Sequence, residues 1–283
     1  MLILIAPPDG LPETLVTDFS RSLGPPRVLS PGEAVEWSLP AGSPSPALPP
    51  GAALDLLRLP AEGRRKMLLI ADMDSTIVTG ETLDELATQA GVGEAVAAIT
   101  RRSMNGEIDF AGALRERVGM LRGLPVAALA RTWEGVRLMH GAQELVATMR
   151  AHGAYTALVS GGFTWFTGRV AEWAGFDTHR ANVLHHDEKN LTGTVAEPIL
   201  DRNAKLAALR ELAQARGLDL SQTLAVGDGA NDLDMIGAAG LGVAFHAKPV
   251  VAAAAGARVD HCGLRALLFA QGYTRAEIVG PAR

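Results

Sequence analysis

Residues 67–76 read MLLIADMDST, an apolar run that ends abruptly in two carboxylates and two hydroxyls. Five consecutive apolar residues without helical spacing predict a strand buried on both faces. Asp72 and Asp74 stand two apart, so in extended backbone their side chains point to the same side. Taken alone the segment has a plainer account, since Asp and Ser also favour turns.

Beyond this strand the pattern turns wholly helical, with segments predicted at 82–91, 93–106, 109–123 and 125–136. Thr82 with Glu85 fits a capping box, Asp109 suits an N-cap and Pro125 a first turn. After Gly141 strands and helices alternate: a helix to Gly153, a strand at 155–160 and a helix from Phe163 to Gly175. A hairpin at 181–195 turning at Asp187–Asn190, a helix 203–217, a strand 223–226, a helix 230–239, a strand 241–245 and a helical tail complete the chain. Such alternation predicts a parallel sheet flanked by helices. An insertion of about 55 residues after the first strand exceeds ordinary connections. In open α/β sheets ligands sit beyond the carboxyl ends of strands, so the residues just after each strand are the candidates for chemistry.

Upstream, MLILIA at 1–6 predicts a strand, 12–23 a short helix and 27–39 irregular or extended chain. The stretch LPAGSPSPALPPG at 39–51 is a loop or linker, because proline fixes its own φ and withholds a donor.

The 283 residues are 48% hydrophobic and 20% charged with a formal net charge of −5, which describes a globular protein and excludes disorder throughout. Mild acidity without any basic run longer than Arg64-Arg65-Lys66 argues against a general nucleic-acid binder. Cys262 is the single cysteine, so a thiolate metal cluster and an intrachain disulfide are both excluded, and a reducing, cytoplasmic setting fits. The apolar start is too short for a secretory core and lacks a basic lead-in. Nothing approaches the roughly 18 apolar residues of a membrane span.

A second acidic cluster, GDGAND at 227–232, follows the strand TLAV. N-capping accounts for one acid there; convergent acids at two strand ends suit a hard cation such as Mg²⁺, which takes oxygen ligands. A dedicated Ca²⁺ loop is the weaker alternative, since the terminal bidentate Glu is missing. Between the clusters, VSGGF at 159–163 places a hydroxyl and glycines before a helix, which is an anion cradle or simply a turn. Lys205 near a helix start opposes the macrodipole, so it is either an exposed default or a phosphate partner.

In order, DMDST at 72–76, Ser160, Lys205 and GDGAND at 227–232 resemble the motifs of the haloacid-dehalogenase-like phosphatase superfamily. Across 66–270 the chain is similar to its phosphoserine phosphatase family, through DMDSTIVTGETLDELA at 72–87, MNGEIDFAGALRERV at 104–118, SGGF at 160–163, NAK at 203–205 and VGDGANDLDMI through AFHAKP at 226–249. The resemblance implies a Rossmann-like parallel core at 65–80 and 138–283, a helical-bundle cap at 81–137 and an N-terminal module with linker at 1–64. It implies Asp72 as nucleophile, Asp74 as general acid/base, and Mg²⁺ held by Asp72, the Asp74 main-chain carbonyl and Asp228. Ser160, Gly161 and Lys205 would hold the phosphoryl group, Asn231 and Asp232 would support phosphate and metal, and Glu81, Met104, Phe110 and Arg117 would face the amino-acid part. The implied reaction is hydrolysis of O-phosphoserine, the last step of serine synthesis. Alternatives are a phosphatase or phosphotransferase for another small phosphorylated metabolite such as phosphohomoserine, and a silent amino-acid sensor. Several family members carry ACT-like βαββαβ domains; residues 1–60 are read as a degenerate or partial version, with homodimer formation as its candidate role.

Overall fold

The computed structural model describes residues 1–40, 42–104 and 107–280. The first 58 residues contribute β1 (Leu2–Ile5), α1 (Glu13–Leu23), β2 (Arg27–Ser30), β3 (Ala34–Trp37) and β4 (Asp55–Arg58). They form an antiparallel sheet in the order β2-β3-β1-β4. The apolar run of β1 is explained by its central place. Leu2 and Leu4 pack with Phe19 and Trp37 on the α1 side, while Ile3 and Ile5 enter the main core on the other. Because β3 and β4 both pair antiparallel to β1, they run parallel to each other and need a crossover, which the Pro-rich stretch supplies.

The main sheet holds β5 (Leu68–Ala71), β6 (Tyr155–Phe163), β7 (Thr178–Asn182), β10 (Thr223–Gly227), β11 (Leu241–Phe245) and β12 (Ala257–Val259), in the order β12-β11-β10-β5-β6-β7. Every pairing is parallel. β8 (Leu184–His186) and β9 (Leu191–Val195) form the hairpin. Helices α8 (Arg202–Ala215) and α9 (Leu233–Ala238) cover the face carrying Leu68 and Ile70. Helices α6 (Ala142–Ala151), α7 (Thr164–Ala174) and α11 (Ala266–Ala270) cover the face carrying Leu69 and Ala71. A short α10 (Pro249–Ala254) precedes β12.

Between β5 and β6 lies a helical layer of α2 (Thr82–Gln89), α3 (Gly93–Met104), α4 (Phe110–Gly119) and α5 (Ala127–Gly135). It joins the core through two adjacent segments, with Val78 bridging Leu138 and the Met139 N–H donating to the Ile77 carbonyl at 2.8 Å. The β8–β9 hairpin is a third attachment: the Gly123 and Val126 N–H groups donate to the Leu191 and Lys189 carbonyls.

Four expectations need correction. Thr82 does not cap α2; Glu81 occupies that position, and the Thr82 N–H is taken by Asp74 instead. Pro125 precedes α5 and bridges Asn190 rather than opening the helix. Residues 178–182 are a separate strand of the main sheet, and only 184–195 form the hairpin. The tail is not wholly helical, since the three-residue β12 completes the sheet edge; so short a run carries no periodicity. Among the described residues no helix is long and apolar enough to cross a membrane.

Candidate active site

The order of the sheet puts β5 between β10 and β6, so the carboxyl ends of these three strands meet at one crevice. Asp72 follows β5 directly, its N–H donating to the Val226 carbonyl of β10 at 3.0 Å. Its Oδ1 accepts from the Met73 N–H at 2.7 Å and from Lys205 Nζ at 2.8 Å. Among the described residues Oδ2 has no hydrogen-bond partner and stays available.

Lys205 is the surprise of burial, only 1% exposed in the first half of α8. Its Nζ also donates to Asp232 Oδ1 at 2.6 Å, so one ammonium clamps two carboxylates. Burial works against that charge, but Asp232 and Asp72 outweigh it and hold the ammonium above the usual lysine range. Asp232 in turn receives the Gly229 N–H at 3.0 Å. A Cβ on Gly227 would fall 2.4 Å from the Asp232 carboxyl carbon, so glycine is required for this carboxylate to fold back against the strand end. Asn231 folds over Gly229 in the same way.

Asp228 completes the cluster. Carboxylate oxygens of Asp72, Asp228 and Asp232 lie within 4.8 Å of one another, all from buried residues. Burial first, and Asp72 next, push both Asp228 and Asp232 above the ordinary carboxylate range, the latter to about 7. Three carboxylates outnumber the buried ammonium of Lys205 and the half-exposed one of Lys248, and the hard oxygen donor set fits a divalent cation such as Mg²⁺.

Asp74 sits across from this cluster. Ser75, at φ +55°, turns the chain sharply after it, and the Ser75 N–H donates to the Gly80 carbonyl. Asp74 Oδ1 accepts the Thr82 N–H at 2.9 Å, which ties it to the first turn of α2. Burial, Glu81 and Asp72 raise its carboxyl to about 8, against the opposing Thr82 hydrogen bond. A carboxyl that is neutral near pH 7 is a proton donor. Facing it is Gly162, where a Cβ would come 3.0 Å from Asp74 Oδ2 and 3.1 Å from Ser160 Oγ. Ser160 and Gly161 belong to the end of β6, not to a helix terminus, because α7 starts only at Thr164.

The helical layer contributes Phe110, Glu81 and Arg117. The Phe110 ring lies on Gly161. Glu81 accepts from Ser75 Oγ at 2.7 Å, and desolvation, followed by the negative charges of Asp228 and Asp72, raises its carboxyl despite that bond. Arg117 donates Nε to its own helix at Ala113 and has no ion-pair partner among the described residues. Burial depresses it, while Asp84 and Glu81 nearby favour its charge. Met104 closes α3, and its side chain lies outside the described residues.

Sequence reasoning missed two residues here. Lys248, in the loop after β11, places Nζ 3.7 Å from Asp228 Oδ2. Asn182, at the end of β7, donates to the Gly161 carbonyl at 2.8 Å. Both follow the rule that strand ends carry the site; a hairpin expected at 181–195 takes in the last two residues of β7 and so hides the strand end at Asn182.

Residues 69–236 match the family model of haloacid dehalogenase-like hydrolases. The phosphoserine phosphatase of Mycobacterium tuberculosis is 45% identical over 215 residues, which are 76% of this chain and 53% of that protein. The phosphoserine phosphatase of Streptococcus thermophilus is 47% identical over 186 residues, 66% of this chain and 86% of that one. A solved haloacid dehalogenase family hydrolase from Salmonella enterica superposes with a TM-score of 0.82 at 28% identity, covering 95% of this chain and 97% of its own. The chain spans about half the length of the Mycobacterium relative.

Proposed function

This chain belongs to the haloacid dehalogenase-like hydrolases, and on that footing we propose that it is a Mg²⁺-dependent phosphoserine phosphatase working through an aspartyl phosphate. The observation that carries the reading is the buried Asp72–Lys205–Asp232 clamp beside Asp228, with Phe110 lying on Gly161 and Arg117, close enough to Glu81 and Asp84 to feel their charge, without an ion pair among the described residues. Asp72, the Asp74 main-chain carbonyl and Asp228 would hold the cation, with Asp232 behind them; bound there, it offsets charge on the phosphoryl oxygens.

Asp72 attacks through a carboxylate oxygen, a nucleophile that needs no separate base to strip a proton from it. Lys205 fixes Oδ1 and thereby aims Oδ2. An Asp72 oxygen bonds to phosphorus as the bond from phosphorus to the serine oxygen breaks, and the Asp74 carboxyl gives its proton to that oxygen. In the second half, water attacks the aspartyl phosphate and returns a proton to Asp74, releasing phosphate and restoring Asp72. Ser160, Gly161 and Lys205 hold the phosphoryl oxygens, with Asn231 and Asp232 in support. Arg117 suits the substrate carboxylate and Glu81 its ammonium, with Phe110 and Met104 as walls.

The test is phosphate release from L-phosphoserine, phosphohomoserine and an aryl phosphate, with Mg²⁺ or EDTA, by wild type, Asp72→Asn and Arg117→Ala. We expect metal-dependent turnover favouring phosphoserine, none in Asp72→Asn, and a selective loss on phosphoserine in Arg117→Ala. An equal Arg117→Ala loss on the aryl phosphate overturns the substrate assignment, and turnover surviving in Asp72→Asn overturns the mechanism.

A further inference from the structure

The β6–β7 pairing is regular from Ala157–Thr178 to Val159–Arg180 and then breaks, resuming at Phe163–Asn182. Val159 to Phe163 on β6 is thus opposite only Arg180 to Asn182 on β7, so Ser160, Gly161 and Gly162 bulge out of the ladder. A bulge re-aims side chains and backbone, and it also strips the bulged carbonyls of their ladder partners. The Gly161 carbonyl is recovered by one side chain, Asn182 Nδ2 at 2.8 Å.

Asn182 is 3% exposed and spends the rest of its amide on one other backbone residue. Its Oδ1 accepts the Leu200 N–H at 2.7 Å, and Nδ2 reaches the Leu200 carbonyl at 3.4 Å. Leu200 precedes Asp201, which caps α8 by accepting the Ala204 N–H, and the next residue in that helix is Lys205. The carboxamide places its donor and its acceptor on two separate terminal atoms; an ionised Asp only accepts, and Ser offers one oxygen on a shorter stem, so neither reproduces this pair of contacts.

We propose that Asn182 is a positioning residue for phosphoryl binding: it sets the bulge carrying Ser160 and Gly161 in register with the helix start that carries Lys205. The inference rests on the phosphatase reading for the roles of those residues, not for the geometry. Asn182 touches no reacting atom; it acts through the Gly161 carbonyl and Leu200.

The experiment uses Asn182→Asp, which keeps an acceptor for Leu200 and loses the donor to Gly161, and Asn182→Ser, for the case where a buried carboxylate prevents folding. Asp177→Asn is the control, since Asp177 accepts the Thr156 N–H at 2.9 Å and braces the same two strands at their far end. Affinity for inorganic phosphate with Mg²⁺ is titrated by ³¹P NMR, and thermal unfolding is recorded alongside. We expect phosphate to bind at least tenfold more weakly in the folded Asn182 variants and within twofold of wild type in Asp177→Asn. Phosphate affinity within twofold of wild type in a folded Asn182 variant overturns the proposal, as does an equal weakening in Asp177→Asn. A wild type that binds phosphate without releasing it from phosphoserine would remove the substrate reading and leave this comparison intact.

Discussion

The Phe110 ring rests on Gly161 so closely that a Cβ there would stand 2.9 Å from Cζ. Gly161 is not among the positive-φ positions, so contact rather than backbone conformation demands the glycine. Here, as at the Asp74–Thr82 bond, the helical layer touches the strand ends.

Gly161→Ala is therefore expected to lift Phe110 and loosen the roof. The KM for phosphoserine should rise about tenfold, the equivalent of about 1.4 kcal/mol. Adding Phe110→Ala should recover part of that loss, so the two changes are not additive in a double-mutant cycle of steady-state kinetics. Additive losses would mean the contact carries no energy.

Removing Lys205 leaves Asp72 and Asp232 buried without their shared cation. Lys205→Met should cost about 3–5 kcal/mol in urea unfolding with EDTA present, the usual penalty for orphaning a buried charge. Activity should vanish. Mg²⁺ should restore part of the stability, because it replaces positive charge at the same carboxylates; full stability without Mg²⁺ would contradict the clamp.

The raised Asp74 carboxyl has a pH signature. The ordinary value is 3.8 and the folded one about 8. Between those limits the folded chain keeps a proton that the unfolded chain releases, so this group's stabilising contribution is complete below about pH 4 and is lost as pH rises through 8. Asp74→Asn removes that slope. Its Tm relative to wild type, measured in EDTA, should rise from pH 4 to pH 8 by about 10 °C. Turnover should fall 10²–10⁴-fold, the usual range for a lost general acid. A Tm difference that is flat with pH would show that Asp74 titrates normally.

Cation binding should register without catalysis. Mg²⁺ is expected to raise the wild-type Tm in proportion to the logarithm of its concentration. Asp228→Asn should abolish most of that increment while tending to stabilise the metal-free chain, since burial and Asp72 disfavour its charge. An unchanged increment would move the cation elsewhere.

Much of this was legible in the sequence because the signals are local. The apolar run before Asp72 and the TLAV run before Asp228 each announce a buried strand and the acids at its end. Lys205 could be flagged by its place near a helix start, but its burial depends on Asp72 and Asp232, which arrive from distant parts of the chain. Thr82 misled, because the donor that a capping box would use is claimed by an acid eight residues earlier. Asn182 was invisible for a similar reason: its importance comes from a bulge on another strand, and a bulge has no sequence period.

The N-terminal sheet and the catalytic body share one apolar interior, with Ile3, Ile5 and Leu57 packed into the cluster that holds Leu267 and Phe269. Buried polar contacts pin the seam: Asp55 accepts the Asp260 and Cys262 N–H groups, and Arg265 spans Glu33 and Glu144. The Pro-rich crossover passes between two strands that both pair with β1. A protease nick in that crossover would therefore cut the chain without parting it. The two fragments should copurify and, expressed separately, reassemble into one particle, because β1 on the first is the missing neighbour of β4 on the second.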